Sequence, residues 1–473
     1  MKENCCNYFK KNNVVYILLQ CGVKNRSKKI LRAVPTLNGC PRAQPFFDLF
    51  IDGSSVVITY FHIIHFGFTV RKFIYIINII IIISLTGCAS KQKPVQVPSE
   101  WADTSFPTDI SEADDNTPSD TITLLFAGDI MAHSVNYNVT TYEKIWKDVK
   151  HLTSDANLTF GNIESPIDTT LPASSYPNFN MTKKYVQASI DAGFDVFSLC
   201  NNHTNDQFLN GIKETQKTVK NLTDDNNANN HKVYFSGLKE TPESSFSYNI
   251  IEKKGWKILF LPVTEILNRP DCAAYINYIK TDAVARADFI SFIKQLKHNN
   301  QCDLFILSLH ANEPEYTRAV TDSQEAFYKE LITAGVDIIW ANHAHIIKNR
   351  KVIVNTKTNR DQLIMYANGN TISGQRTKPE LTSKNPVSER DNTGDGLLYK
   401  VTLKKNNGSM KIQKAEPIFI TTYINTAYEY VLKPLNQDFV DYLNDVPRAN
   451  WAKYIERRIK INNDATKDLI EWQ

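Results

Sequence analysis

Five times in this chain an apolar run stops abruptly at side chains that bind metals. The run at 121–127 ends in Gly128-Asp129, with His133 close behind, and the run at 157–160 ends in Gly161-Asn162-Ile163-Glu164. The run at 195–200 meets Asn201-Asn202-His203, the one at 303–309 meets His310, and the one at 335–341 meets Asn342-His343-Ala344-His345. Apolar runs rich in Ile, Val and Leu read as buried strands. Sites in open α/β sheets lie beyond the carboxyl ends of such strands. The pattern therefore predicts one pocket lined by imidazoles, amides and carboxylates. An extended backbone through 343–345 would put both imidazoles on one side, within reach of one ligand set.

Between those runs the spacing alternates in the α/β manner. Helices are expected at 141–151, 184–192, 209–222, 281–298 and 324–334, with Gly193 and Gly335 taking the left-handed position that ends a helix. Val284 is placed with Phe289, Phe292, Ile293 and Leu296 on the apolar stripe of the fourth helix. Residues 224–231 read as a polar loop, and 247–252 with 256–263 as a hairpin. Strands at 351–355 and 363–367 lead to Asn368-Gly369-Asn370, and 396–403 with 410–422 form a closing antiparallel pair. Residues 436–472 read as helical, packing back on the domain.

The N-terminal part has a different character. Arg71-Lys72, an apolar stretch at 73–84 too short to span a bilayer, and Leu85-Thr86-Gly87-Cys88 together form a secretory signal. Upstream of it, residues 1–69 read as an over-extended start outside the folded protein, because their cysteines lack paired spacing and no methionine lies between Met1 and Met131. Residues 89–120 read as a disordered tether: from Pro94 to Asp120 there are seven acids and no lysine or arginine. Extended, such a tether reaches up to ~100 Å. The net charge of +4 sums these unlike regions. No basic patch with interleaved aromatics is present, which argues against a nucleic-acid partner.

Gly128-Asp129-Ile130-Met131, Gly161-Asn162-Ile163-Glu164, Asn201-Asn202-His203 with Asp206 and Gly211, His310 with Glu315-Tyr316, Asn342-His343-Ala344-His345 and Asn368-Gly369-Asn370 together resemble the CapA family of bacterial capsule or poly-gamma-glutamate synthesis proteins. The likeness spans about 121–419. It implies a four-layer αββα sandwich of the calcineurin-type metallophosphatase kind, with a metal site where the loops of both sheets converge. The frames depart from the family, which usually has Gly-His-x-Pro-His where this chain has Ala341-Asn342-His343-Ala344-His345, and His-Trp-Gly where it has His310-Ala311-Asn312. Substrate range is what those departures put in question. The Leu-x-Gly-Cys ending resembles a bacterial lipobox, which would make Cys88 the lipidated first residue of an envelope protein anchored outside the cytoplasm.

A two-cation site needs about six protein ligands, and Asp129, Glu164, Asn202, His310, His343 and His345 supply them, with His133 as a further candidate. Mixed nitrogen and oxygen donors suit Mn, Fe or Zn. By analogy with the family, His203 stays off the metals and donates a proton to a leaving oxygen. Asn162, Asn201, Glu315 and Asn370 are expected to line the pocket. Three functions remain open: a lipid-anchored metallohydrolase, a non-catalytic metal-holding member of a polymer synthesis and export assembly, and a surface binding protein with a decayed pocket. The domain order expected is 1–69, signal 70–88, tether 89–120, the metallophosphatase-type domain 121–422 and a helical extension 423–473.

Overall fold

A computed structural model of the chain describes residues 117–473, together with five short strands between Asn7 and Phe61. Those strands pair as a three-stranded and a two-stranded antiparallel sheet within a unit of residues 1–108. Apart from them, the stretches expected as an over-extended start, a signal ending at Cys88 and a tether up to residue 116 lie outside the described residues. Among the described residues no helix is long and apolar enough to cross a membrane.

The strands from Thr121 onward are β1 (Thr121–Ile130), β2 (Leu158–Ile163), β3 (Val196–Ser198), β4 (Tyr234–Ser236), β5 (Asn249–Lys253), β6 (Trp256–Thr264), β7 (Leu304–His310), β8 (Ile338–Asn342), β9 (Arg350–Asn355), β10 (Arg360–Met365), β11 (Asn370–Ile372), β12 (Asp395–Asn406), β13 (Ser409–Ile424), β14 (Tyr430–Pro434) and β15 (Asp468–Trp472). By hydrogen bonding they form one 15-stranded sheet, ordered β5-β6-β7-β8-β10-β13-β12-β1-β2-β3-β4 with β9, β11, β14 and β15 alongside. The β10–β13 link is a single residue pair, Arg360 with Met410. At that link the sheet divides into two halves that face each other.

Burial shows why. Leu124, Phe126 and Phe160 of one half share a core with Ile258, Phe260, Ile306 and Trp340 of the other. Phe126 stacks on Phe160 at 4.7 Å, and Phe160 meets Phe260 edge-on at 5.6 Å. The buried Trp340 indole bridges the halves, its Nε1 donating to the Ala127 carbonyl at 2.8 Å. On the outer face of the first half pack the helices α1 (Ser134–Tyr137), α2 (Glu143–Trp146), α3 (Lys150–Thr153), α4 (Lys183–Asp191) and α5 (Phe208–Ala228), whose Trp146, Tyr185, Ile190, Ile212 and Leu222 join Phe194 and Phe197 in a second core. On the outer face of the other half, α6 (Ala283–Asn299) and α7 (Asp322–Ala334) bury Phe289, Ile293, Phe327 and Leu331 against Leu259, Leu307 and Ile339. The order helix, sheet, sheet, helix is the expected four-layer αββα sandwich of the metallophosphatase type.

Several local expectations change. The 141–151 helix is two short turns, α2 and α3. Helix α5 continues through the polar stretch to Ala228, because Asn226 is buried there and exchanges hydrogen bonds with Gln187 of α4 at 3.0 Å. Val284 is 71% exposed and not on the stripe. After the short α8 (Glu389–Asn392), α9 (Gln437–Asp445) and α10 (Ala449–Ala465) are helical as expected, and Phe439, Leu443, Trp451 and Ile455 pack on Tyr423 and Val431. The final segment Asp468–Trp472 is a strand, β15, added in parallel to β9. Its entry is fixed where Asn349 accepts from the Lys467 amide at 2.9 Å and the Lys467 carbonyl accepts from the Arg350 amide at 3.0 Å.

Candidate metal centre

The parallel strands β1, β2 and β3 of one half, and β7 and β8 of the other, deliver their carboxyl ends to one edge of the sandwich. Asp129 is the penultimate residue of β1, and β11 pairs beside it, with Asn370 opposite Asp129. That approach needs Gly128: a Cβ there would lie 1.9 Å from the Gly369 carbonyl oxygen. Glu164 follows β2, Asn202 and His203 follow β3, and His310 ends β7.

Asp129, Glu164 and His310 are all buried and each presents a ligand atom within 4.8 Å of the others; the buried His343 and His345 and the solvent-accessible Glu315 form a second group with atoms within the same distance. The groups adjoin, since His345 Nε2 lies 3.7 Å from Glu164 Oε1 and His345 Nδ1 lies 3.2 Å from Asp129 Oδ2. His310 Nε2 is 3.8 Å from the same Glu164 oxygen and 2.8 Å from Asn202 Oδ1. The rings of His310 and His343 are 4.9 Å apart. All six residues expected as ligands thus converge on one buried centre.

The reason that His343 and His345 converge is not the one expected. Strand β8 ends at Asn342, and the two histidines lie beyond it with φ of 99° and 55°. Left-handed backbone at a residue other than glycine costs energy and persists where the surroundings over-determine it. Here a turn, not a strand, aims both rings inward.

The remaining expected residues are placed as follows. His133 is near the centre, against Phe179, with Nδ1 accepting from the Gly374 amide at 3.0 Å, so only Nε2 is left for a ligand. Asn162 does not line the pocket floor so much as brace it: its Nδ2 donates to Asp129 Oδ1 at 2.8 Å and lies 3.4 Å from His310 Nδ1. Asn201 is tied to the Ile163 carbonyl at 2.7 Å and to the amide of His203 at 3.2 Å, which makes it a brace for the loop. Asn370 Oδ1 is 3.0 Å from His345 Nδ1 and fixes that ring so that Nε2 faces Glu164. Glu315, expected only as lining, stands with His343 at 3.9 Å in the second group. His203 points its Nδ1 at Asp206 Oδ2, 2.7 Å away, and packs edge-on against Phe179.

Two contributors were not singled out from sequence. Asn268, after β6, donates its amide to the Asn202 carbonyl at 3.0 Å and sets its side chain 3.2 Å from His203 Nδ1. Asn342 is buried with its Oδ1 unpartnered beside the site. The first has no signal in the sequence beyond an Asn in a loop; the second precedes the double histidine.

The electrostatics are those of a cation site. Both Glu164 oxygens are buried with no hydrogen-bond partner, and burial followed by the Asp129 charge pushes its carboxyl well above the usual range. A carboxylate buried there is costly, His345 at 3.7 Å offsets only part of that, and a cation is what the donor set fits. Burial, with His343, His345 and His203 nearby, holds His310 well below the usual imidazole value. Burial likewise lowers His343 and His133 to about 3. Neutral imidazoles are the metal-binding form. His345 differs: burial would discharge it, but the Glu164 charge and the hydrogen bond and charge of Asp129 outweigh that and raise it to about 10.

These shifts give a pH dependence for the metal-free protein. For His133 and His343 the folded values, about 3, lie below the free-imidazole 6.5, so their contribution is full above 6.5 and is lost as pH falls toward about 3, and His310, held well below its ordinary value, acts in the same direction. For His345 it is full below 6.5 and is lost as pH rises through about 10. Glu164, raised from 4.5, opposes the acid-side trend, but it is one carboxyl against three imidazoles. The melting temperature in chelator is expected to peak near pH 6.5 and fall on both sides, and His343→Gln should flatten the acid limb. An acid limb unchanged by that substitution would contradict a buried neutral His343.

A four-layer sandwich of the metallophosphatase fold type here gathers carboxylates, amides and imidazoles where the strands of both sheet halves end, the donors of a metal centre. The sequence model of the bacterial capsule synthesis protein PGA_cap family matches residues 123–375, and the chain belongs to that family. The capsule biosynthesis protein CapA of Bacillus anthracis is 26% identical over 362 residues, covering 74% of this chain and 79% of that protein. The PGA biosynthesis protein CapA of Bacillus subtilis (strain 168) is 24% identical over 297 residues, covering 61% and 69%. Among solved structures, a calcineurin-like phosphoesterase from Bacillus subtilis aligns at 12% identity and a TM-score of 0.36 over 71% of this chain and 99% of its own. A hypothetical protein from Thermus thermophilus aligns at 16% and 0.35 over 63% and 98%.

Proposed function

We propose that this chain is a divalent-metal-dependent hydrolase of capsule or poly-gamma-glutamate synthesis, held at the membrane outside the cytoplasm by a lipid on Cys88. The observation that carries the catalytic part is the buried, unpartnered Glu164 carboxylate among Asp129, His310 and His345, beside a histidine whose own partner is a carboxylate. Asp129, Glu164, Asn202, His310, His343 and His345 would hold Mn, Fe or Zn, with Glu315 and His133 within the same region. The two donor groups support two ions. Such cations act as Lewis acids on a phosphoryl or carbonyl oxygen and supply a nucleophile at neutral pH. His203, oriented by Asp206, would give a proton to the departing oxygen or nitrogen. The names of the two CapA relatives support a role in capsule or PGA biosynthesis, and work alongside other synthesis and export proteins is part of the same proposal.

A second reading keeps the metal and drops the chemistry: a metal-holding subunit of a synthesis complex. It draws on the altered loop frames, in which Asn342 and Ala344 flank His343 and Ala311-Asn312 follow His310. Metal analysis of the purified full chain, with poly-gamma-glutamate and a generic phosphodiester as substrates, separates the two. The hydrolase reading expects about two equivalents of metal and turnover that chelator abolishes and Mn²⁺ restores. Metal without turnover of either substrate favours the subunit. Cys88→Ser is expected to move the protein from the membrane fraction to the soluble one, and unchanged fractionation would overturn the anchor.

A further inference from the structure

The double-histidine turn is held from the C-terminal side of the chain, beyond the span that the family model matches. Asp395, the first residue of β12, is fully buried. One of its oxygens accepts from Arg376 at 2.9 Å, and the other accepts from Arg458 Nε and Asn462 Nδ2 of α10, both at 2.7 Å. Arg458 also donates to the Asn392 side chain at 3.0 Å and to the Pro386 carbonyl at 2.5 Å. Helix α10 therefore grips the segment 376–395 at several points.

That segment in turn grips the metal centre. The Thr393 carbonyl accepts from Asn370 Nδ2 at 2.9 Å, and Gln375 Oε1, next to Arg376, accepts from the same amide at 2.8 Å. Asn370 so fixed presents Oδ1 to His345 Nδ1. A second route runs through Arg318, which donates to the Ile347 carbonyl, two residues past His345, and reaches Asn392 and Asn462 at 3.5 and 3.4 Å.

Buried ion pairs add little stability over apolar packing, yet removing one partner leaves a buried charge. What such a network does supply is a fixed geometry, and this one ends on a strained turn whose rings must stay aimed. We infer that Arg458 and Asp395 are positioning residues, through which α10 clamps segment 376–395 and Asn370 keeps His345 Nε2 turned to Glu164. The inference rests on His345 being a metal ligand. It makes the C-terminal helix part of the site.

The test is Mn²⁺ titration by calorimetry on the full chain and its Arg458→Met, Arg458→Lys and Asn392→Ala variants, with the exposed Lys460→Met as a control on the same helix. Ring ¹⁵N shifts of His345 are read in the metal-free proteins. Wild type and the control should bind alike. Arg458→Met should bind about 10–100-fold more weakly, as loss of a ligand-orienting partner does, with Arg458→Lys in between because an ammonium cannot reproduce the guanidinium fork. Asn392→Ala leaves the Asp395 pairs intact, so it should fold, and it should weaken binding several-fold while shifting the His345 signal. Unchanged affinity and an unchanged His345 signal in Asn392→Ala and Arg458→Lys, with only a lower melting temperature, would overturn the clamp. A wild type that binds no Mn²⁺ would overturn the metal reading, and an unmoved His345 signal in the variants would still overturn the clamp independently.

Discussion

Glutamine at position 164 is expected to remove metal binding while making the metal-free protein more stable. Glu164 is fully buried, its oxygens have no hydrogen-bond partner, and the Asp129 charge adds to the penalty of ionising it. An unsatisfied buried group costs about 1–3 kcal/mol, more when charged. Glutamine removes the charge that burial and Asp129 penalise but leaves a buried polar group unsatisfied and takes a charge from beside His345, so unfolding in chelator should require only modestly more free energy. With Mn²⁺ the order reverses. A ligand at one hundred times its Kd stabilises wild type by about 2.7 kcal/mol, and Glu164→Gln, deprived of a direct ligand, should gain none of it. Its affinity should fall by more than the roughly 10–100-fold that an outer partner costs. Denaturant unfolding with and without Mn²⁺ measures both signs at once. Wild type and variant responding equally to the metal would show that Glu164 is not a ligand, whatever its burial.

How much of this could be read from the sequence follows from which interactions are local. A strand whose apolar run reaches Asp129 or His310 at its end announces itself, because the chain there must reach a polar site, and both events are written in adjacent residues. Convergence of the strand ends followed from the parallel α/β order. The aim of His343 and His345 did not, since an alternating strand and a left-handed turn look the same in one dimension. Glu315 was legible as an acid but not as a neighbour of His343, for its loop is placed by Tyr316, whose amide donates to the Ala344 carbonyl at 3.0 Å. Asn268 reaches His203 across 65 positions, and no local pattern encodes that. Helix α5 runs past its expected end and β15 stands where a helix is expected for the same reason: Asn226 is held by Gln187 and Trp472 by the edge at Val354, partners distant in the chain. The Arg376–Asp395–Arg458 network looks in sequence like scattered surface charge.

His203→Ala is expected to lower turnover by about 10²–10⁴-fold, the usual worth of a positioned acid or base, and to leave the bound metal unchanged. The geometry separates these two effects. His203 Nδ1 is committed to Asp206 Oδ2, and Asp206 is itself fixed by the Phe179 amide at 2.8 Å. The ring is therefore held with one tautomer, leaving Nε2 to exchange a proton, and Phe179 closes one face of it. None of the atoms within the two donor groups belongs to His203. Asp206→Asn keeps the shape but turns a pure acceptor into an amide able to present a donor to Nδ1, favouring the wrong tautomer; where such a carboxylate orients a catalytic histidine, that change alone costs about 10⁴-fold in rate. Both variants should bind Mn²⁺ as wild type does. If His203→Ala hydrolyses polymer and phosphodiester as fast as wild type, the proton comes from elsewhere and the acid role is lost. If it loses metal along with activity, His203 belongs to the ligand set, and Asn268, which bridges it to Asn202, becomes the residue through which that loss is transmitted.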